Sequence, residues 1–179
     1  ALPIYIDVSD AQAVRSLIQS LSPDQPLRGI IHAAGVLDDG SIAKQTPERL
    51  AGVFGPKVRG AWNLYEATRD EPPNFFVMFS SAAGILGNAG QSAYSAANTF
   101  LDALASRIRA SGGHALSLAW GPWDGQGMAA ALGDSDRARL RRAGVIPMSA
   151  TSAMALLDVA LRMPDAVLVP IRFDFEPRV

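Results

Sequence analysis

Phe75-Phe76-Val77-Met78-Phe79-Ser80-Ser81 and, ten residues on, Gln91-Ser92-Ala93-Tyr94-Ser95-Ala96-Ala97-Asn98 decide how this chain is read. The first run is apolar, aromatic and short, which predicts a buried strand ending at Ser81. Gly84, Gly87 and Gly90 punctuate the loop between them. The second run predicts a helix continuing to about Ala110, where Gly112-Gly113 ends it, and it sets Tyr94 and Asn98 one turn apart on one face.

Working outward, strands and helices alternate. Leu2 to Asp7 predicts a short strand ending in a carboxylate. Ser9 is the expected N-cap of a helix to about Ser20, with Gln12 completing a capping box. Ser22-Pro23-Asp24-Gln25-Pro26 is a turn, and Gly29 to Ala34 a second apolar strand closed by Gly35. Thr46-Pro47-Glu48 carries the cap, first-turn proline and early acid of a helix start. That helix is expected to reach about Arg69, with an irregularity near Gly55-Pro56, before Pro72-Pro73 stops it. His114 to Trp120 reads as the next strand, halted by Gly121-Pro122. Asp134 to Arg142 predicts a short basic helix, Ser149 caps a last helix through Arg162, and Ala166 to Ile171 is a final strand.

Such alternation predicts an α/β fold: a Rossmann-like parallel sheet with helices on both faces. Ligands of these sheets bind at the carboxyl ends of the strands. Asp7, Ala33-Ala34-Gly35, Ser81 and Trp120-Gly121-Pro122 all fall there. The glycine-rich strand-turn-helix that opens a dinucleotide-binding sheet is missing, since Gly84 to Gly90 comes too late and leads into the Tyr94 helix. The fold therefore reads as starting at its third strand, and Ala1-Leu2-Pro3, without an initiator methionine, fits an excised piece.

Composition narrows the function classes. The 179 residues suffice for one domain, and 49% hydrophobic with 18% charged residues is a globular composition. A net charge of −1 offers no general affinity for nucleic acid or anionic membrane. With no cysteine there is no disulfide or thiol chemistry, and two histidines, His32 and His114, make no metal site. No apolar run is long enough to span a membrane and no signal peptide is recognisable, so a cytoplasmic location is expected.

Lys57, upstream in Pro56-Lys57-Val58-Arg59-Gly60, joins Ser81, Tyr94 and Asn98 as the candidate chemistry. Hydride reduction of a ketone leaves an alkoxide that must be protonated as its charge develops. A phenol does this best beside a cation that lowers its pKa, the role open to Lys57. Ser81 can hydrogen-bond the same oxygen, and the Asn98 amide can hold a water or the lysine amine in line. Taken singly each residue has a plainer reading: a core tyrosine, a turn serine, a solvated lysine, an asparagine without meaning. Their joint placement on one sheet edge is what raises the set above these.

From Ile30 to Phe173 the chain resembles the catalytic half of a ketoreductase domain from a modular polyketide synthase, within the short-chain dehydrogenase/reductase superfamily. The resemblance is carried by His32-Ala33-Ala34-Gly35-Val36-Leu37-Asp38-Asp39, Lys57-Val58-Arg59-Gly60-Ala61, Phe79-Ser80-Ser81-Ala82-Ala83-Gly84, Tyr94 to Ala105 and Leu118-Ala119-Trp120-Gly121-Pro122-Trp123. Here the asparagine follows the tyrosine and the lysine lies upstream, the arrangement of polyketide and fatty acid synthase ketoreductases rather than of ordinary short-chain dehydrogenases. The resemblance implies a proton donor at Tyr94, a β-keto oxygen oriented by Ser81, and a relay supported by Lys57 and Asn98. It implies NADPH, with Asp7 and Val8 near the adenine, Ala33, Ala34 and Gly35 beneath its ribose, and Gly121 and Pro122 at the nicotinamide end. The substrate implied is a β-ketoacyl thioester on the phosphopantetheine of an acyl carrier protein. The other partners implied are the N-terminal part of the ketoreductase and neighbouring synthase domains.

Within that resemblance Leu37-Asp38-Asp39 is similar to the marker of ketoreductases that give a D-configured β-hydroxyl. Leu86 stands where the opposite class has a tryptophan, and Ala96 in place of proline implies an unchanged α-substituent. Trp123 and Met128 are further substrate candidates in a lid spanning about 124–145, where Ala129, Ala130 and Leu132 are also candidates for acyl contact. Arg137, Arg139, Arg141 and Arg142 read first as a solvated face, with carrier-protein contact as the alternative. On these readings residues 1–179 are the C-terminal part of one ketoreductase domain. The competing reading is a non-catalytic half-domain, active only with a separate N-terminal piece.

Overall fold

The structure, a computed structural model, describes residues 3–22, 24–125 and 133–174, without the side chains of 134–136. In chain order the elements are α1 (Ala11–Gln19), β1 (Gly29–His32), α2 (Pro47–Phe54), a π-helical turn (Gly55–Arg59), α3 (Gly60–Thr68), β2 (Phe75–Ser81), α4 (Ala83–Leu86), α5 (Ser92–Ala110), β3 (Ala115–Trp120), α6 (Asp134–Arg142), β4 (Val145–Ile146), α7 (Ala150–Ala160), β5 (Val167–Leu168) and β6 (Arg172–Phe173). Four strands form a parallel sheet in the order β1-β2-β3-β5, with Ser81 paired to Trp120 at its carboxyl end. The antiparallel pair β4–β6 stands apart from it.

Period-two alternation along the strands builds two core layers. Phe76 and Met78 pack with Ile30, Ala61, Leu101, Leu104 and Ile108 under α3 and α5. Val77, Leu116, Leu118 and Trp120 pack with Ala153, Leu157 and Ala160 of α7 on the other face. Every residue of β3 is buried, as a central parallel strand requires. The α/β architecture with helices on both faces is as the alternation predicts.

Several boundaries differ, each for a physical reason. Residues 3–7 form no strand: a strand exists by pairing, and no described residue gives this segment a ladder, so Ile4 and Tyr5 stay exposed. The cap of α1 is Asp10, whose carboxylate accepts from the Gln12 and Ala13 amides at 2.8 and 3.1 Å, and not Ser9. Ser9 is instead held by the Asp7 carboxylate, which accepts from the Ser9 amide at 2.8 Å. Thr46 does cap α2, accepting from the Arg49 amide at 3.3 Å, with Pro47 in the first turn. The irregularity at Gly55-Pro56 is the π-helical turn. The final strand shrinks to Val167–Leu168, and Pro170 beyond it has no N–H to give to a ladder. The two-residue strands β4 and β6 and the one-turn helix α4 are too short to leave a periodic signal.

On its outer edge β1 has no partner among the described residues, and Ile31 is 58% exposed there. No described helix is long and apolar enough to cross a membrane.

Candidate active site

Lys57 sits in the π-helical turn, where one extra residue turns its side chain inward. It is 1% exposed, and its Nζ donates to the Phe79 carbonyl at 2.9 Å and lies 5.3 Å from the centroid of the Tyr94 ring. Burial pulls its pKa down to about 8, against the opposing pull of the Asp102 carboxylate on α5. Asp102 is itself anchored by the Ser117 hydroxyl of β3, which donates to it at 2.6 Å.

Tyr94 and Asn98 lie on one face of α5. The Asn98 amide donates to the Tyr94 carbonyl at 2.8 Å, and the Asn98 carbonyl accepts from the Ser80 hydroxyl at 3.2 Å. Its Oδ1 is buried without a hydrogen-bond partner, an acceptor held ready inside the site. Gly84 lets α4 approach α5 there, since a Cβ would stand 3.2 Å from Asn98 Cβ and the Thr99 amide. Ser81, the last residue of β2, accepts from the Ala83 amide at 3.2 Å, which directs its hydroxyl beside the start of α4. Burial raises the Tyr94 pKa; hydrogen bonding to the Ser81 and Asn98 side chains draws it back, and the Asp39 charge adds to the rise.

These groups meet at a cleft of about 460 Å³ over the carboxyl ends of β2 and β3. Lys57, Ser81 and Tyr94 line it; Asn98, fully buried, stands directly behind. Of the other sequence candidates, Ala33, Leu37, Leu86, Gly121, Pro122 and Trp123 line the same cleft. Phe79, Trp120 and Trp123 form an aromatic cluster beneath it, with Trp120 and Trp123 edge-to-face at 5.1 Å. Asp7, Val8, Ala34, Gly35, Asp38 and Asp39 are not on its wall. Asp7 is exposed, and the Ser9 backbone and hydroxyl hold its carboxyl below the usual range. Val8 abuts Gly60, where a Cβ would come within 2.7 Å of it, and its carbonyl accepts from Asn63 at 3.0 Å. Met128, with Ala129, Ala130 and Leu132, lies outside the described residues, so of the expected lid only the flanks are described.

Sequence reasoning missed Gln91, Asn88, Leu140 and Val145, all on the cleft wall. Gln91 opens the run read as helix, but it stands at the N-cap position of α5, and nothing in the sequence says that its side chain turns to the cleft. Leu140 is a single leucine among arginines, a faint signal that one side of α6 faces inward.

The sequence profile described as "KR domain" matches residues 3–125. Over 175 residues, 97% of this chain, it is 47% identical to the polyketide synthase GfsA of Streptomyces halstedii. To the mycoketide-CoA synthase of Mycobacterium tuberculosis it is 45% identical over 172 residues. It spans 2% and 4% of the length of these two relatives. Among solved structures it superposes on A-type ketoreductases from a modular polyketide synthase with a TM-score of 0.87 at 37% identity, covering 96% of this chain and 36% of that one. On the ketoreductase from the first module of phoslactomycin biosynthesis in Streptomyces sp. HK803 the TM-score is 0.86 at 40% identity, covering 96% and 40%.

Proposed function

This chain belongs to the KR domain family, the ketoreductase domains of modular polyketide synthases, and from that premise we propose that it carries out NADPH-dependent reduction of a β-ketoacyl thioester held on an acyl carrier protein. The observation that carries the reading is the meeting of Lys57, Ser81 and Tyr94 on one cleft, with Asn98 behind them.

The residues fit a nicotinamide dinucleotide at one end of this cleft. Ala33, Gly121 and Pro122 make an apolar wall beside Tyr94 and Ser81. The Lys57 ammonium has three donors, one of them on the Phe79 carbonyl, which leaves capacity for a hydroxyl of the dinucleotide. Ala34 and Gly35 follow β1 and would pack beneath the ribose, with Asp7 and Val8 toward the adenine. When bound, the reduced nicotinamide supplies the hydride.

The remaining work falls to the chain. Ser81 donates a hydrogen bond to the ketone oxygen, and Tyr94 donates the proton as negative charge develops on it. Burial alone would make Tyr94 a reluctant acid, and the Lys57 ammonium facing its ring stabilises the phenolate that forms. The free Oδ1 of Asn98 can accept from a water that passes a solvent proton to the Tyr94 phenolate and is itself reprotonated from solvent. Leu37 and Leu86 on the cleft wall, with Asp38 and Asp39 behind, support a D-configured hydroxyl; Trp123 and Met128 are proposed substrate contacts.

The test is a complete ketoreductase domain containing this chain, supplied with NADPH and a diketide thioester. Nicotinamide oxidation with formation of the D-alcohol is expected. An L-alcohol would defeat the stereochemical part, and no oxidation would defeat the whole. The open outer edge of β1 favours a narrower second reading, in which residues 1–179 form the C-terminal part of the domain and turn over only beside an N-terminal part. Tight NADPH binding by the isolated chain, read by nicotinamide fluorescence, would overturn it.

A further inference from the structure

Arg49, on α2, makes more side-chain bonds than any functional reading requires of it. Its guanidinium forms a bidentate ion pair with the Asp38 carboxylate, through Nε at 2.9 Å and through Nη2. Nη2 also donates to the Asp39 carbonyl at 2.9 Å, and Nη1 to the Lys44 carbonyl at 3.2 Å. The guanidinium lies over Gly40, where a Cβ would stand 3.0 Å from Nη1.

The segment so gripped is tied onward to the other side of the cleft. Gln91, buried and on the cleft wall, donates to the Asp39 carboxylate at 2.8 Å and is itself oriented by Asn88 at 2.7 Å. The Gly40 amide donates to the Gly90 carbonyl at 2.8 Å. Leu37, next to Asp38, lines the cleft. Residues 37–40 form no regular element, so side chains must supply the order that a ladder would. A half-exposed ion pair alone contributes little, but a bidentate pair with two further backbone acceptors fixes geometry as well as charge. The same helix runs directly into the π-helical turn that carries Lys57.

We propose that Arg49 is a positioning residue that locks the Leu37 wall of the cleft in register with the Lys57 turn and so governs which face of the ketone is offered for reduction. This rests on the ketone-reducing reading above. Arg49 touches no reacting atom; it acts by denying Leu37 the freedom to retreat, which would let a substrate enter in the opposite orientation.

The experiment uses the complete ketoreductase domain with Arg49→Met, Arg49→Lys and Gly40→Ala. It measures the ratio of hydroxyl epimers from a diketide thioester, kcat and KM separately, and hydrogen exchange across 37–45. Arg49→Met is expected to raise the minor epimer about tenfold, which is a small change in the balance of two competing barriers. KM should rise more than kcat falls, and exchange across 37–45 should quicken. Arg49→Lys keeps the charge without the fork and should fall between. Gly40→Ala, whose Cβ pushes the guanidinium by a few tenths of an ångström and leaves its charge intact, should move the epimer ratio the same way by less. Faster exchange with a wild-type epimer ratio in all three variants would mean a merely structural clamp and would overturn the proposal alone. A wild-type domain that oxidises no NADPH would remove the functional reading, and this proposal with it.

Discussion

The inner and outer sides of the cleft are ordered by different bonds. On the inner side, Lys57 and Asn98 are buried and each donates one hydrogen bond to a main-chain carbonyl, of Phe79 and Tyr94 respectively. On the outer side, Asp38, Asp39 and Gln91 are held chiefly by one another's neighbours, side chain to side chain, in partly exposed surroundings. Main-chain acceptors survive side-chain substitution, so these two anchor points of the inner side persist when the rim changes. The rim can be re-cut one residue at a time, so chemistry belongs to the first side and selectivity to the second.

If that division is right, the largest loss comes from the inner side. Tyr94→Phe removes the proton donor and leaves the ring in place, so kcat in the complete domain should fall on the order of 10²-fold or more with little change in KM. Comparable losses in both constants would blur the boundary between the two sides. Next is Lys57, whose pKa is lowered from 10.5 to about 8 by burial. The active form needs the ammonium, so kcat should fall as pH rises through about 8. Stability should move oppositely: between about 8 and 10.5 the unfolded chain binds the proton that the native state has released, so this group's contribution to stability rises with pH. Lys57→Met should therefore lower turnover at neutral pH yet raise the midpoint of thermal unfolding. A lowered midpoint would mean that the buried charge is better compensated than Phe79 and Asp102 indicate.

His32 gives a smaller effect, and one confined to stability. Burial first, and the Lys57 charge second, lower its pKa from 6.5 to about 4, and its Nε2 has no partner. As pH falls from 6.5 toward 4 the unfolded chain takes up a proton that the native state refuses, so stability should decline over that window. His32→Asn should flatten this acid limb in chemical denaturation while leaving the alkaline limb of kcat unmoved. An unchanged acid limb would assign the decline to other groups.

The same contrast separates what the sequence discloses from what it does not. The inner side was legible because its parts carry long signals: a seven-residue apolar strand into Ser81, a nineteen-residue helix bearing Tyr94 and Asn98, and a proline after glycine marking the π-helical turn. The parallel sheet with helices on both faces follows from that alternation; the strand order β1-β2-β3-β5 does not. The rim was legible only as a resemblance in Leu37-Asp38-Asp39, and its bonds were not. Nothing in the sequence singles out Arg49 among the charged residues of α2, or Gln91 at the head of the Tyr94 helix. What makes them matter is a partner at a sequence separation of 11 for Arg49 with Asp38 and 52 for Gln91 with Asp39, which no local pattern encodes. The expected strand before Asp7 failed for a related reason, because pairing is a property of two segments and its sequence describes only one.

Gln91 supplies the finest test of the division, because it belongs to both sides. It sits at the amino end of the helix that carries Tyr94, yet its amide is spent on the rim carboxylate of Asp39. Gln91→Ala removes the bridge but leaves the Gly40–Gly90 backbone bond and the Arg49 fork in place. One of several ties is lost and the others remain, so the expected outcome is a rise in KM of about tenfold, the low end for a hydrogen bond to a charged group, with kcat nearly unchanged. Were kcat to fall as steeply as in Tyr94→Phe, the bridge would be setting the tyrosine itself, and rim and chemistry would be one unit. A Gln91→Glu variant sharpens the same point, since a carboxylate facing Asp39 repels where the amide donated. It should therefore cost more in KM than alanine does, and the excess should shrink as added salt screens the two charges.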